Sequence, residues 1–472
     1  MRQERPGRSS LDGRAHDSRE ERCGGWCEVI DRLARVVREA EALGAEQAEA
    51  YALISRARRV RVERSALKMA DSRTSAGVGV RVICEGRVGF SYATSLAEGE
   101  LRRAVEVAIS VAKAKAGPKS LDSFAPPEKP PSVLGIYCEE TAEASLDDLA
   151  ALAARAVDAA RGHSDLVTAV NAELSARVEE RYIANSLGLE ASAKSTVASL
   201  AVMVTAEEAG RMSTSMDFQS SRSLSGIDCE AVAASAAKFS TMLLEGEKVG
   251  LLRGPVILDP IAVSVLVASM LSYALSAENV QSGRSFLRGL LGGEVASSGL
   301  RVTDDPLIEG AVASRPFDGE GVPSKRVAVV DGGVLRSYLH NLSTAYREGT
   351  ESTGHASRGY ASEPGVAPSN LVFAHERERP LSDLLSEAEG GVYVRFVLGA
   401  HTFNRATGDF SVVASEAFLI EDGELGRPVR QAAFSGNLLE LLRKAYAMSR
   451  ERRWVGSVST GALAAEEATI VS

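Results

Sequence analysis

Gly254 to Phe286 reads GPVILDPIAVSVLVASMLSYALSAENVQSGRSF, and the order of its elements decides the fold. Pro255 to Leu258 is a short apolar run of the kind that makes a buried strand. Asp259 and Pro260 follow as an N-cap and first-turn pair. The carboxylate can accept orphan amide protons, and proline has no amide proton to leave unpaired. Ile261 to Leu275 is apolar on nearly every face, which predicts a helix buried all round. At about 15 residues it is shorter than the roughly 20 that a bilayer requires. Ser264, Ala268, Ser272 and Ser276 recur every four residues, a stripe of small side chains that lets another backbone come close. A strand running into a wholly apolar helix near the middle of the chain is a core element.

Upstream of this stretch the pattern is helix, strands, helix, twice over. Val29 to Ala42 has helical periodicity and stops at Gly44. Ala48 to Ser55 predicts a strand, and Val60 to Glu63 the start of another. In GVGVRVICEGRVGF, Gly77 to Phe90, valines alternate on both sides of Cys84-Glu85-Gly86-Arg87, which predicts a β-hairpin. The GVG is not read as a dinucleotide loop, because a strand and not a helix follows it. A helix from Leu101 to Ala116 leads to the extended linker PPEKPP, Pro126 to Pro131. The second unit has a helix at Ser145 to Ala160, strands at Val167 to Glu180, Arg181 to Asn185 and Leu189 to Thr205, and a helix at Cys229 to Leu244.

Downstream, short apolar runs are punctuated by clusters of glycine, proline and acidic residues. Val392 to Leu398 and Phe410 to Ile420 predict strands, and Leu438 to Ser449 a closing helix. The fold class is therefore α+β: N-terminal α/β units with mainly antiparallel sheet, then a large β-rich C-terminal domain containing a buried central helix. The expected divisions are a disordered tail (1–25), a first α+β unit (26–125), a second (132–246), the β-rich domain (250–450) and an appended C-terminal segment (451–472).

Composition bounds the function. A net charge of −9 over 472 residues gives no electropositive field for nucleic acid. The charged first residues lack an apolar leader core, so the expected location is the cytoplasm. Cys23 and Cys27 form a CGGWC pair without a second pair at finger spacing, and Cys84, Cys138 and Cys229 sit singly in apolar surroundings as expected buried small hydrophobes.

Catalytic signatures are sparse. No G-x-S-x-G occurs, and no two of the six histidines lie three to five residues apart. In GAHTFNRATGDFS, His401, Asn404 and Asp409 look like an active-site loop, but the residue types alone favour a long hairpin connection making turn hydrogen bonds. Asp304-Asp305 and Asp318/Glu320 lie on Gly/Pro-rich loops and are expected to be solvated.

Several segments, in order, resemble the TldD/PmbA family of zinc-dependent peptidase subunits, also known as modulators of DNA gyrase. They are GVGVRVICEGRVGFSYATSL, NSLG, GPVILDP, GRSFLRGLLGGEVAS, DDP, FDGEGVPSKR, STGHASRG, PSNL, GAHTFNRATGDFSVVASEAFLIEDGE and FSGN, and they span Gly77 to Asn437. The resemblance implies one of two subunit types. The TldD type carries HExxxH after the GP-strand, with a later cysteine as third zinc ligand. Laid without gaps from GPVILDP, that motif falls on Ala268, Ser269 and Tyr273, and no cysteine follows Cys229. The chain thus resembles the TldE/PmbA type, with no metal and no catalytic residue of its own and with zinc expected in a TldD-type partner. The resemblance further implies a heterodimer acting on unfolded or leader peptides, without nucleic acid or membrane. Its peptide-facing or interface candidates are His401, Thr402, Asn404, Asp409, His355 and Arg358. Two other readings stay open: a stand-alone homodimeric peptide-binding protein, and a self-sufficient hydrolase built around His355 and His401.

Overall fold

A computed structural model describes residues 20–430 and 432–472, with side chains from residue 28 onward in the first helix. Most of the expected tail, and the side chains of the CGGWC pair, lie outside the described residues. Residues 20–25, assigned above to the tail, instead open the first helix, Glu20–Ala42.

The two N-terminal units build one sheet. Its strands are β1 (Gln47–Glu63), β2 (Ala66–Cys84), β3 (Arg87–Ala93), β4 (Val167–Asn185), β5 (Glu190–Glu208) and β6 (Arg211–Ser221). They pair antiparallel throughout in the order β3-β2-β1-β4-β5-β6. The predicted hairpin is present, and its turn residues Glu85 and Gly86 take φ of 51° and 72°, the left-handed pair that a two-residue turn requires. Alternation assigns the two faces. Ala48, Ala50, Ala52, Val60 and Val62 of β1 lie under the helices. At one end these are Glu20–Ala42 and Glu98–Ala114; at the other they are Leu146–His163 and Cys229–Met242. Ser145 starts the Leu146–His163 helix through a capping box with Asp148. Odd-numbered residues of β1 face the other way. Tyr51 and Leu53 pack with Phe317 of the C-terminal part, and Arg59 and Arg61 lie on a polar stretch. Gly77 and Gly79 serve that contact, because a Cβ on either would collide with Tyr360.

The C-terminal part holds a second six-stranded sheet and a larger strand system. In the larger system, Leu251–Leu258, Val392–Leu398, Asp409–Glu421, Ala432–Asn437 and Leu463–Val471 pair in sequence, and the last pairs back to the first, closing a ring. The buried helix lies between the ring and the second sheet, within one apolar cluster that draws on both.

Several expected boundaries shift. The predicted breaks within β1 and β4 do not exist, and β6 had not been anticipated. The closing helix stops at Arg443; Ala445–Ser449 is a strand paired with Leu463–Val471. Residues 451–472 are not an appendage, since Leu463, Ala464 and Ala465 are fully buried in the strand that closes the ring. Cys84 and Cys229 are buried and free, whereas Cys138 is half-buried.

Candidate functional site

The central helix runs through residues 260–275 in three pieces: Pro260–Ala262, a π-helical stretch at Val263–Ala268, and Ser269–Leu275. Asp259 caps it as expected, accepting from the Ile261 amide at 2.8 Å and from the Tyr393 hydroxyl at 2.5 Å. Burial pushes this carboxyl above its usual range. At the far end the orphan carbonyls are also answered. Tyr273 accepts from Asn279 Nδ2 at 2.8 Å, Ala274 from Ser285 Oγ at 2.6 Å, and Leu275 from the Leu339 amide at 2.9 Å. A single π-helical stretch inside an α-helix widens the turn and is frequent at functional sites. Here it ends at Ala268, the first of the three positions singled out above.

Those positions are closed by packing. Ala268 is buried and carries only a methyl group. Ser269 turns its hydroxyl back onto its own helix, donating to the Val265 carbonyl at 2.5 Å. Tyr273 stands edge-on to Phe403 with ring centroids 5.7 Å apart, and the Arg405 guanidinium lies 4.7 Å from its ring centre. Its hydroxyl is buried without a hydrogen-bond partner. The helix and the GAHTFNRATG segment, read separately from the sequence, therefore form one surface.

Within that segment His401 is exposed on a short turn, Ala400–Thr402, and Thr402 Oγ1 donates to the Gly399 carbonyl at 2.8 Å. Asn404 Oδ1 accepts from the Ala406 and Thr407 amides at 3.0 and 3.3 Å. Hydrogen bonds from Asn437 and Thr407 hold the Asp409 carboxyl below its usual range. Asn404 and Asp409 thus shape the loop, and His401 is the side chain it presents.

His355 and Arg358 sit elsewhere, beneath the N-terminal sheet. His355 has no exposure. Its Nε2 lies 2.8 Å from Asp304 Oδ1 and its Nδ1 2.9 Å from Thr353 Oγ1. Asp304 also accepts from the amide and hydroxyl of Ser369. Among the described residues no hydrogen bond joins His355 to His401: the first is buried against Asp304 and the second is exposed on its loop. Arg358 donates to Glu49 Oε1 at 2.5 Å and lies over the Tyr51 ring. Glu49 is also held bidentately by Arg81, whose third nitrogen reaches Glu320 Oε1 at 2.7 Å. Burial opposes ionised Glu49, but the Arg358 and Arg81 charges outweigh it and keep the carboxyl low.

The expectation that Asp304, Asp318 and Glu320 are solvated fails, because all three are buried. Their loops fold inward and the carboxylates take backbone protons. Asp318 accepts from the amides of Glu320, Val322 and Ala356, and Glu320 from that of Leu342. Burial and the nearby Glu320 charge push Asp318 up to about 6.

A further charged knot had no place in the sequence reading. Arg395 is buried in the middle of its strand, bonds Glu416 and, at 2.8 Å, Asp217, and lies over Phe239. Asp217 belongs to β6 and also takes Arg453, so the knot fastens the sheet to the C-terminal ring. A charged residue at the centre of VYVRFVL was its only signal.

Zinc does not fit the helix. Ala268 offers no donor atom, Ser269 is turned inward, and Tyr273 is engaged by aromatic packing. Among the described residues no group of three His, Cys, Asp or Glu side chains is placed to hold a metal ion.

Comparison with known proteins matches residues 48–112 to PmbA/TldA metallopeptidase domain 1, 139–244 to the central domain and 252–472 to the C-terminal domain. An uncharacterized protein of Methanocaldococcus jannaschii is 29% identical over 79% of this chain and 84% of its own length. Metalloprotease PmbA of Escherichia coli O157:H7 is 26% identical over 83% and 85% respectively. The crystal structure of TldE from Thermococcus kodakarensis superposes with a TM-score of 0.85 at 25% identity, covering 93% of this chain and all of that one.

Proposed function

The chain belongs to the PmbA/TldD metallopeptidase family, and from that membership we propose that it is the non-catalytic, TldE-type subunit of a two-chain peptidase. The observation that carries this reading is the helix face at Ala268, Ser269 and Tyr273. A zinc-bearing sister would place two imidazoles and a carboxylate there; this chain places a methyl group, an inward hydroxyl and an aromatic ring. The likeness to TldE of Thermococcus kodakarensis supports the same assignment.

In this reading a TldD-type partner supplies the zinc, which when bound activates water for peptide hydrolysis. This chain supplies a second wall for the substrate and holds unfolded or leader peptides, with an extended segment pairing along a strand edge. His401 and its loop face the peptide or the partner. The complex works in the cytoplasm; no helix among the described residues is long and apolar enough to cross a membrane.

Co-expression with a TldD-type protein tests the proposal. The expected outcome is a stable complex that cleaves an unfolded peptide and loses that activity to a chelator, while the chain alone cleaves nothing. Full-rate, chelator-sensitive cleavage by the chain alone overturns it.

A further inference from the structure

On the sheet face opposite the helices, Arg181 of β4, Arg222 just beyond β6 and Arg315 of the C-terminal part line one cavity of about 190 Å³. Glu179 is the only acidic residue in its lining. That carboxylate is already shared, with Arg181 at 2.9 Å and Arg177 at 3.6 Å. Arg222 meets only backbone oxygen: it donates to the carbonyls of Thr196, Ala311 and Ser314 at 2.8–3.1 Å. Neither Arg222 nor Arg315 has a carboxylate within 4.0 Å among the described residues. The Nε atoms of Arg181 and Arg315 are buried with no hydrogen-bond partner. Burial and the Arg181 charge push Arg222 down to about 10. Burial also holds Arg315 below its ordinary range, against the opposing charges of Asp318 and Asp304 and with Arg181 adding to it.

A cluster nearby differs in its charge balance, although Arg358 Nε and Nη1 there are likewise buried without a partner. There Arg81 and Arg358 face Glu49 and Glu320, two cations against two anions. The cavity lining holds three guanidiniums and one carboxylate; Asp318 and Asp304 act on Arg315 from outside the lining without pairing with it, and a desolvated positive charge without a paired counter-charge is costly. A guanidinium presents a planar fork of donors that matches a carboxylate. Ile136, Val197 and Phe317 give the cavity apolar walls, suited to carbon attached to that carboxylate. A polar groove of about 240 Å³ adjoins it along β4 and β5, sharing Glu179, Ser195 and Val197. An extended chain lying in that groove would end at the arginines.

We propose that the Arg181/Arg222/Arg315 cavity anchors a carboxylate of a bound peptide, either its C-terminal carboxylate or an aspartate or glutamate side chain. The proposal rests on the reading that this chain holds peptides, and the experiment separates the two.

The full-length chain is titrated against three fluorescein-labelled unstructured octapeptides at 0.15 M salt. One has a free C-terminal acid, one is amidated and otherwise neutral, and one is amidated with a single internal glutamate. At least one carboxylate-bearing peptide is expected to bind about tenfold more tightly than the neutral amide; which one does identifies the source. Arg315→Gln should abolish the difference and Arg315→Lys retain part of it, with unfolding midpoints confirming that both variants fold. Equal affinity for all three peptides, or a difference that survives Arg315→Gln, overturns the proposal while leaving peptide binding intact. If no peptide binds, the peptide-holding reading fails and the cavity is judged with glutarate alone. Stabilisation by glutarate over sodium chloride of equal ionic strength, lost in Arg315→Gln, supports the site; no such stabilisation overturns it.

Discussion

Helix 260–275 and the seam between the N-terminal sheet and the C-terminal part are buried to the same degree but built from opposite materials. The helix contributes ten buried apolar side chains, from Ile261 to Leu275, and no buried charge. The seam buries Arg81, Glu49, Glu320, Arg395, Glu416 and Asp217. On the helix this chain has packing; where two parts of the fold meet, it has ion pairs. Buried ion pairs are weak evidence for stability, since desolvation offsets their attraction, but breaking one leaves an orphaned charge. Apolar packing has no such asymmetry. The two regions should therefore respond to substitution in different ways.

The largest effect is expected in the seam. Arg395→Met leaves Glu416 buried without its counter-charge and should cost about 3–5 kcal/mol in denaturant unfolding. Adding Glu416→Gln removes the orphan while keeping a partner for Ser215 Oγ, which bonds Glu416 at 2.8 Å. Asp217 keeps Arg453. The double variant should recover at least half of the loss. A double variant as unstable as the single one would mean that Arg395 acts through its packing on Phe239 and not through charge.

The helix should answer more mildly. Ala268→His with Tyr273→His puts two imidazoles at the motif positions. Overpacking at Ala268 and loss of the Phe403 contact should cost roughly 1–3 kcal/mol. The variant should remain inactive alone, because Ser269 is a poor general base and no cysteine follows Cys229. Zinc-dependent peptide cleavage by the double variant would overturn the reading of this face.

The same contrast explains what could be read in advance. The helix was legible because an apolar run bracketed by Asp-Pro and Ser has few alternatives, and the hairpin because Cys-Glu-Gly-Arg between alternating valines encodes its turn. The seam was not, because a charge inside a strand does not name its partner. Arg395 meets Asp217, 178 positions away, and Arg81 meets Glu320 across 239. The break expected in β1 has a related cause. Residues 56–59, RARR, look like a loop until β2 and β4 bring Asp71 and Glu173 alongside Arg59. Likewise, a short alternating run such as Ala445–Ser449 passes for helix until its pairing with Leu463–Val471 is seen. The candidate loop was recognisable only as a loop; that it covers Tyr273 could not be read.

The seam should also titrate. Asp318, pushed up to about 6 when folded, has an unfolded value near 4. Between those values the folded chain keeps a proton that the unfolded chain has released. The stability this group contributes is thus complete below about pH 4 and is lost as pH rises through about 6, a change of roughly 1–3 kcal/mol. Urea midpoints from pH 4 to 7 should fall along that window in the wild type and less so in Asp318→Asn. Parallel profiles would assign the slope to another group.

The smallest structural effect is expected at His401. The side chain is exposed and no hydrogen bond of the loop depends on it, so His401→Ala should change stability by less than about 0.5 kcal/mol. Asn404→Ala, in contrast, removes the acceptor for the Ala406 and Thr407 amides and should cost about 1 kcal/mol. Placed in the proposed two-chain complex, this pair of variants separates a loop that is merely built from one that is used. If the loop faces the peptide, His401→Ala lowers peptide cleavage several-fold with the unfolding midpoint unchanged, and the loss appears in KM. If the loop faces the partner subunit, the same variant weakens assembly instead, and cleavage returns at higher subunit concentration. Wild-type cleavage and assembly in His401→Ala would leave Asn404 and Asp409 as turn residues and reduce the loop to a lid over Tyr273. Function would then have to be sought on the arginine-lined face of the sheet.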